Sequence, residues 1–453
     1  MNPANALSPI RPEHRFVLAA AWVIPIEPPG VVLSDHAVVV ANGRIEALLP
    51  TSEARLAYPE PTWPWLVRPH HIALPGLVNA HTHAAMTLLR GCADDLPLKR
   101  WLTEAIWPRE QQLMSPEFVY EGSWLAAAEM VMSGITCALD MYFYPDAAAR
   151  AFHEVGLRAR IGLVALEFPT PYAATADDYL TNGLAVWKKW RDEPLIGFAL
   201  APHAPYTVSD ETFTRIAALA NELDLPVHLH LNETANERAE SLARHGVTPV
   251  ERLLSTGILA TPRLIAAHGV HLTSDELTLL SRHGAALVHC PTSNMKLASG
   301  AADVSAWLET GVTAALGTDG AASNNRLDLF WEMRHAGLLA KLTRNDAAAL
   351  PAAELLTMAT LGGAKALGWD EEIGSLRPGK AADFITVSCA SFSYRPLFDP
   401  IAHLVWVADR EAVCDVWVAG QLRLFEHTLL LQKNNTTLAL LAEKWAKAVP
   451  TFP

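Results

Sequence analysis

Leu74-Pro-Gly-Leu-Val-Asn-Ala-His-Thr-His83 reads as a buried apolar strand ending in two histidines, His81 and His83. Residues two apart on a strand point to the same side, so these imidazoles can share one metal ion. A metal held by two imidazoles needs further ligands from elsewhere in the chain. A His-x-His pair alone is also an ordinary feature of packed cores. Its meaning therefore rests on how the other strands end.

From residue 73 onward, short apolar runs alternate with longer segments of helical pattern. The runs are Ala73–Asn79, Ile135–Met141, Arg160–Leu166, Ile196–Pro202, Pro226–Leu231, Leu264–His268, Ala285–Cys290 and Thr313–Thr318. Helical segments between them include Phe213–Leu223 and Glu276–Arg282, the latter with the capping-box pattern Thr273-Ser-Asp-Glu276 before it and Gly284 after it. Eight buried strands alternating with helices over about 250 residues predict an α/β fold, a (β/α)8 barrel. A doubly wound open sheet is disfavoured, because no Gly-x-Gly-x-x-Gly follows the first run.

The flanks read differently. Residues 1–14 look like a loose arm. Phe16–Ile26 and His36–Ala41 are β-rich, and Asn42-Gly43 is a hairpin signal. Phe16–Ile26 faintly imitates a signal peptide, but it contains Pro25 and no small-residue cleavage site follows. Thr51–Arg68 reads as irregular. After residue 371, Asp383–Ser388, Leu404–Ala408 and Cys414–Ala419 read as short strands, and Leu438–Ala448 as a closing helix. Gly374-Ser-Leu-Arg-Pro-Gly-Lys380 nearly matches a phosphate-binding loop, but it precedes a strand and is followed by Ala381, so it reads as a turn. Residues 1–72 and 373–453 are expected to form one small β-sandwich, with the closing helix, beside a barrel of residues 73–372.

In such a barrel the chemistry sits at the C-terminal ends of the strands. The first run ends in His81 and His83, the fourth in His203, and the fifth in His230 with Glu233 three residues on. The sixth ends in His268 and the eighth in Asp319. Buried imidazoles and carboxylates are costly without partners, and a shared divalent cation supplies one. Three imidazoles and a carboxylate, His81, His83, His230 and Asp319, suit one Zn²⁺ with a place left for water; iron or manganese also accepts the set. Asp319 can take a proton from that water, and His268 can orient it or carry a proton. Glu233 can act as acid and base, protonating the atom beside the one attacked. No lysine ends the fourth run, so one metal is expected, not two. His228, His70, His71, His271 and His289 read as structural or supporting, and Asp140 as either structural or functional.

Pro75-Gly-Leu-Val-Asn-Ala-His-Thr-His83, Ile265-Ala-Ala-His268 and Leu316-Gly-Thr-Asp-Gly-Ala-Ala-Ser-Asn-Asn325 resemble the amidohydrolase superfamily in its deaminase and chlorohydrolase branch. His81-Thr-His-Ala-Ala-Met-Thr-Leu-Leu-Arg-Gly-Cys-Ala-Asp-Asp95 and Trp107-Pro-Arg-Glu110 are similar to the 5-methylthioadenosine/S-adenosylhomocysteine deaminases. The resemblance implies His81, His83, His230 and Asp319 as metal ligands, Glu110 on the ribose hydroxyls, and His203 against the nucleoside. It puts Glu233 where the family protonates the ring nitrogen, and Trp101 in the pocket lining. It implies hydrolytic deamination at purine C6, and a homo-oligomer. Relatives with similar motifs act on guanine, other purines or triazines, and some have become non-catalytic scaffolds. Leu163–Leu180 lacks the arginines with which members of the family hold the S-adenosylhomocysteine carboxylate, so 5-methylthioadenosine is the expected preference.

Composition agrees with this picture. Hydrophobic residues make up 51% of the 453, enough for a large core, and no apolar run is long enough to span a bilayer. A net charge of -13 argues against nucleic acid or an anionic membrane as the main partner. Five cysteines with no Cys-x-x-Cys point to a reducing, cytoplasmic setting.

Overall fold

The computed structural model describes residues 15–431, 433 and 435–449. The arm expected over residues 1–14 lies outside the described residues. The chain begins in a mixed sheet with β1 (Arg15–Val23), β2 (Leu33–Ala41), β3 (Arg44–Pro50) and β4 (Trp65–Pro75). The β2–β3 turn is the expected hairpin: Asn42 and Gly43 both have positive φ, 51° and 74°, as a tight primed turn requires. Thr51–Arg68 is more ordered than expected. Thr51–Ala57 is helical and Trp65 already belongs to β4, whose alternating exposed and buried residues the Pro and Trp content hid.

The change of sheet falls at Gly76. The run expected as one strand over Ala73–Asn79 is divided there: Ala73 to Pro75 pair with the mixed sheet, and β5 (Leu77–Thr82) opens the barrel. A β-carbon at Gly76 would lie 2.0 Å from the Thr136 hydroxyl oxygen, so the crossing needs glycine. The barrel continues through β6 (Ile135–Tyr142), β7 (Arg158–Ala165), β8 (Ile196–Pro202), β9 (Val227–Leu231), β10 (Leu264–His268), β11 (Ala286–His289) and β12 (Thr313–Leu316). All neighbours are parallel, in sequence order. The eight expected runs correspond to these eight strands. Helices cover the outside. Asp210–Leu223, for example, is capped by Ser209 and buries Phe213, Ile216, Ala217 and Ala220, the i, i+3, i+4, i+7 stripe of a helix lying on a sheet. The expected capping box at Thr273 and Glu276 is formed.

The seam between β5 and β12 is closed by a few specific bonds. The Asp319 amide donates to the His81 carbonyl at 3.0 Å. The Asn79 side chain both donates to Thr318 Oγ1 (2.8 Å) and accepts from the Thr318 amide (2.9 Å). Two of the candidate ligands thus face each other across the seam, while β9, the fifth strand, lies across the barrel from β5.

After the barrel the chain returns to the mixed sheet as β13 (Phe384–Ser388), β14 (Val413–Val418), β15 (Gln421–Phe425) and β16 (Thr428–Leu429). Both chain ends therefore build one layer, in the order β16-β15-β14-β13-β4-β1-β2-β3. Phe16 on β1 and Trp417 on β14 are three strands apart, about 14 Å in a flat sheet. Their rings stack at 5.6 Å, so the continuous sheet curls over a shared core. Leu404–Ala408, expected as a strand, is not one: Pro400–Trp406 is a helix, started by Asp399, whose carboxylate accepts from the amides of Ile401 and Ala402. An Asp-Pro helix start outweighed a short apolar run. The Gly374–Lys380 segment is a turn, with Lys380 Nζ 3.1 Å from Glu27. The closing helix spans Asn435–Ala448. Among the described residues, no helix is long and apolar enough to cross a membrane.

Candidate metal centre and active site

The histidines at the strand ends converge. His81, His83 and His230 each offer a nitrogen within 4.8 Å of the others, and the nitrogens of His81 and His268 with a carboxylate oxygen of Asp319 form a second such set. His83 Nε2 is 3.3 Å from His230 Nε2, and Asp319 Oδ1 lies 3.1 Å from His83 Nε2 and 3.4 Å from His81 Nε2. A tetrahedral ion with bonds of about 2.0–2.1 Å spaces its ligands about 3.3–3.4 Å apart. These separations fit that figure.

The partners of the other ring nitrogens decide which imidazoles can ligate. His83 Nδ1 faces the Met141 carbonyl at 2.5 Å and His230 Nδ1 faces the His203 carbonyl at 2.7 Å. A carbonyl only accepts, so in the neutral ring each Nδ1 carries the proton and each Nε2 keeps a free lone pair. His81 is set one step further away. His228 Nδ1 meets the Ile265 carbonyl at 2.9 Å, so His228 Nε2 is an acceptor, and it takes the His81 Nδ1 proton at 2.8 Å. His81 Nε2 is then a buried lone pair without a hydrogen-bond partner. An orphaned buried nitrogen among convergent lone pairs is what a cation would satisfy.

His268 differs. Asn294 Nδ2 donates to its Nδ1 at 2.9 Å, so a neutral His268 carries its proton on Nε2. It presents a donor to the centre, where the other three present lone pairs. Its Nε2 is 3.8 Å from Glu233 Oε2.

The acidic groups are tuned apart. Burial works to raise Asp319, but His81 and His83, packed against its Oδ1, hold it well below the usual carboxylate range. Its oxygens also accept from Ser293 Oγ (2.6 Å), Ser323 Oγ (3.1 Å) and the Gly320 amide (2.8 Å). With no cation bound, burial opposes a second proton on the His83 ring, but the Asp319 carboxylate favours it and the ring is pushed up to about 9. Asp319 thus calls for a positive partner. Glu233 goes the other way, lifted to about 8 by burial and then by the Asp319 charge, with Ser299 Oγ donating to it at 3.3 Å. Three residues at these strand ends have left-handed backbones: Asn232 (φ 48°), His268 (φ 76°) and Asp319 (φ 59°). Such strain in non-glycine residues gathers at functional sites.

The centre opens into a cavity of about 330 Å³. His203, Glu110 and Trp101 line it, as does Glu233. Among the described residues, no lysine or arginine does. Sequence reasoning gave His228 only a supporting or packing role and did not single out Glu237, whose carboxylate accepts from the amides of Asn232 (2.9 Å) and Glu233 (3.0 Å). The signals were present: His228 is two residues before His230, and Glu237 is four after Glu233. Asp140 accepts from the Ala84 amide at 2.7 Å, holding the chain just past His83.

A model of the amidohydrolase family matches residues 72–423. The chain belongs to the amidohydrolase family. This amidohydrolase is 42% identical to a 5-methylthioadenosine/S-adenosylhomocysteine deaminase of Teredinibacter turnerae, over 95% of this chain and 96% of that one. It is 48% identical to one of Moorella thermoacetica, over 78% and 81%. Among solved structures, it resembles an adenosine deaminase from Xanthomonas campestris with bound zinc, at 46% identity and a TM-score of 0.94, covering 96% of this chain and 99% of that one. An Arthrobacter aurescens atrazine chlorohydrolase complexed with zinc superimposes at a TM-score of 0.87 with 22% identity, over 96% and 100% of the two chains. That likeness shows the fold alone.

The role of His228 in this amidohydrolase can be measured apart from turnover. His228→Phe removes the acceptor that sets the His81 tautomer. Loss of such an outer partner weakens metal binding by about 10–100-fold. Chelator competition on the purified variant should read that drop; unchanged affinity would mean that His228 only packs.

Proposed function

We propose that this chain is a metal-dependent hydrolytic deaminase of adenosine-type nucleosides, acting at purine C6 and preferring 5-methylthioadenosine to S-adenosylhomocysteine. The activity named for its relatives supports the class. The observation that carries the preference is a cavity with Glu110 in its wall and, among the described residues, no lysine or arginine in its lining. A neutral thioether tail suits it; a free amino-acid carboxylate would find no cation there.

His81, His83, His230 and Asp319 would hold the metal, and Zn²⁺ is the best match to three imidazoles and a carboxylate. When bound, the cation supplies hydroxide near neutrality, because it lowers the pKa of water to about 7. The chain's own groups manage the protons. Glu233, kept protonated near neutrality by burial, gives its proton to N1 as the water oxygen bonds to C6. Asp319, held ionised, takes the first proton of that water and passes it to the departing amine. The second returns to Glu233 as the carbonyl forms, so ammonia and an inosine-type product leave. His268 presents an Nε2–H that can orient the attacking oxygen. His203 lies in the cavity wall, within reach of the nucleoside. Five free cysteines, four of them buried, support a reducing cytoplasmic setting.

The test is an absorbance and ammonia-release screen of zinc-loaded enzyme with adenosine, 5-methylthioadenosine, S-adenosylhomocysteine, adenine and guanine. Loss of the adenine band is expected with the nucleosides. A missing charge-assisted bond, about 1.5–3 kcal/mol, sets the expected preference for 5-methylthioadenosine in kcat/KM at about tenfold or more. Faster turnover of S-adenosylhomocysteine defeats the preference, and turnover of guanine alone defeats the class.

A further inference from the structure

Away from the cation cluster, two buried groups meet in the cavity wall. The Tyr142 hydroxyl, at the end of β6, donates to Glu110 Oε1 at 2.6 Å. Glu110 lies on the helix Trp107–Leu113, and both residues line the cavity. Burial lifts the Glu110 carboxyl above its ordinary value; the bond from Tyr142 opposes this and favours the ionised, acceptor-only form.

The hydrogen bond has a consequence for both partners. A tyrosine hydroxyl has one proton, and here it is committed to Oε1. What the oxygen can still do is accept. Glu110 keeps Oε2, which also only accepts. The pair therefore offers two neighbouring acceptors to the cavity. A ribose cis-diol offers two neighbouring donors.

We propose that Tyr142 is a specificity-determining residue that reads one sugar hydroxyl directly while Glu110 reads the other. The inference rests on the nucleoside reading above. It adds that the sugar is recognised as a pair of donors, by two side chains brought together from β6 and from the helix after the first barrel strand.

The experiment compares kcat/KM of the zinc-loaded wild type and Tyr142→Phe on 5-methylthioadenosine and its 2′-deoxy and 3′-deoxy counterparts. The wild type should prefer the ribonucleoside to both. In Tyr142→Phe the preference over one deoxy counterpart should shrink about tenfold, the size of one lost hydrogen bond, while that counterpart is turned over nearly as by the wild type. An equal loss on all three substrates means that Tyr142 only supports the wall, and overturns the proposal. A wild type that treats all three alike removes the sugar contact altogether, and the reading of Glu110 falls with it. The two failures are distinct because the second is seen without any variant. The wild type alone also tests the acceptor pair. Fluorine in place of either hydroxyl carries no proton to donate, so it should lower kcat/KM at least as far as hydrogen does. A fluorinated substrate turned over like the ribonucleoside overturns the two-acceptor reading.

Discussion

Glu233→Gln should keep a full equivalent of metal and lose turnover by about 10²–10⁴-fold, the range that positioned proton transfer contributes. The residue is 4% exposed and sits beside the cluster without belonging to either set of three convergent donors. The amide has nearly the same shape and can still accept from Ser299. The backbone amides of Asn232 and of residue 233 itself stay clamped by Glu237, which the substitution leaves alone. What is lost is a carboxyl able to give and retake a proton. Metal content by elemental analysis, together with kcat, tests this. A variant that turns over normally removes Glu233 from the chemistry, and one that arrives without metal makes it a ligand.

Asp319→Asn should lose both metal and activity. Removing a partner of a ligand costs about 10–100-fold in affinity, and removing a charged ligand should exceed that. Asp319 is the anionic member of the cluster, since burial keeps Glu233 protonated near neutrality. Its carboxylate is also satisfied as an acceptor on every side, by Ser293, Ser323 and the Gly320 amide. An amide would turn a donor toward one of these or toward the imidazoles. With the proton acceptor gone as well, turnover should fall by at least about a thousandfold even when excess zinc is supplied. Chelator competition and zinc-titrated kcat separate the two effects. Full rescue by zinc would reduce Asp319 to a metal ligand with no part in moving protons.

These effects were foreseeable to different degrees. The barrel was legible because each strand is a continuous apolar run, and a strand buried on both faces leaves that mark in one dimension. Leu264–His268 and Ile196–Pro202 have the bounds read from the sequence. The division at Gly76 was not legible, since the apolar run passes through it unbroken and only the strand pairing on either side of it reveals two sheets. The Pro400–Trp406 helix was misread because its apolar residues suit a strand equally well; the deciding signal was the Asp399-Pro400 cap.

The sequence by itself determined the fold class and the roster of polar strand ends, because strand period and strand-end position are local properties. His81, His83, His203, His230, Glu233, His268 and Asp319 could be named without coordinates. Only the tertiary structure decided what each can do. Whether an imidazole offers a lone pair or a proton depends on what its other nitrogen meets, and for His81 that is His228 from across the barrel, itself set by the Ile265 carbonyl. Asn294 gives His268 the opposite tautomer. Protonation depends on distance and burial, which closing the barrel creates and no window of sequence contains.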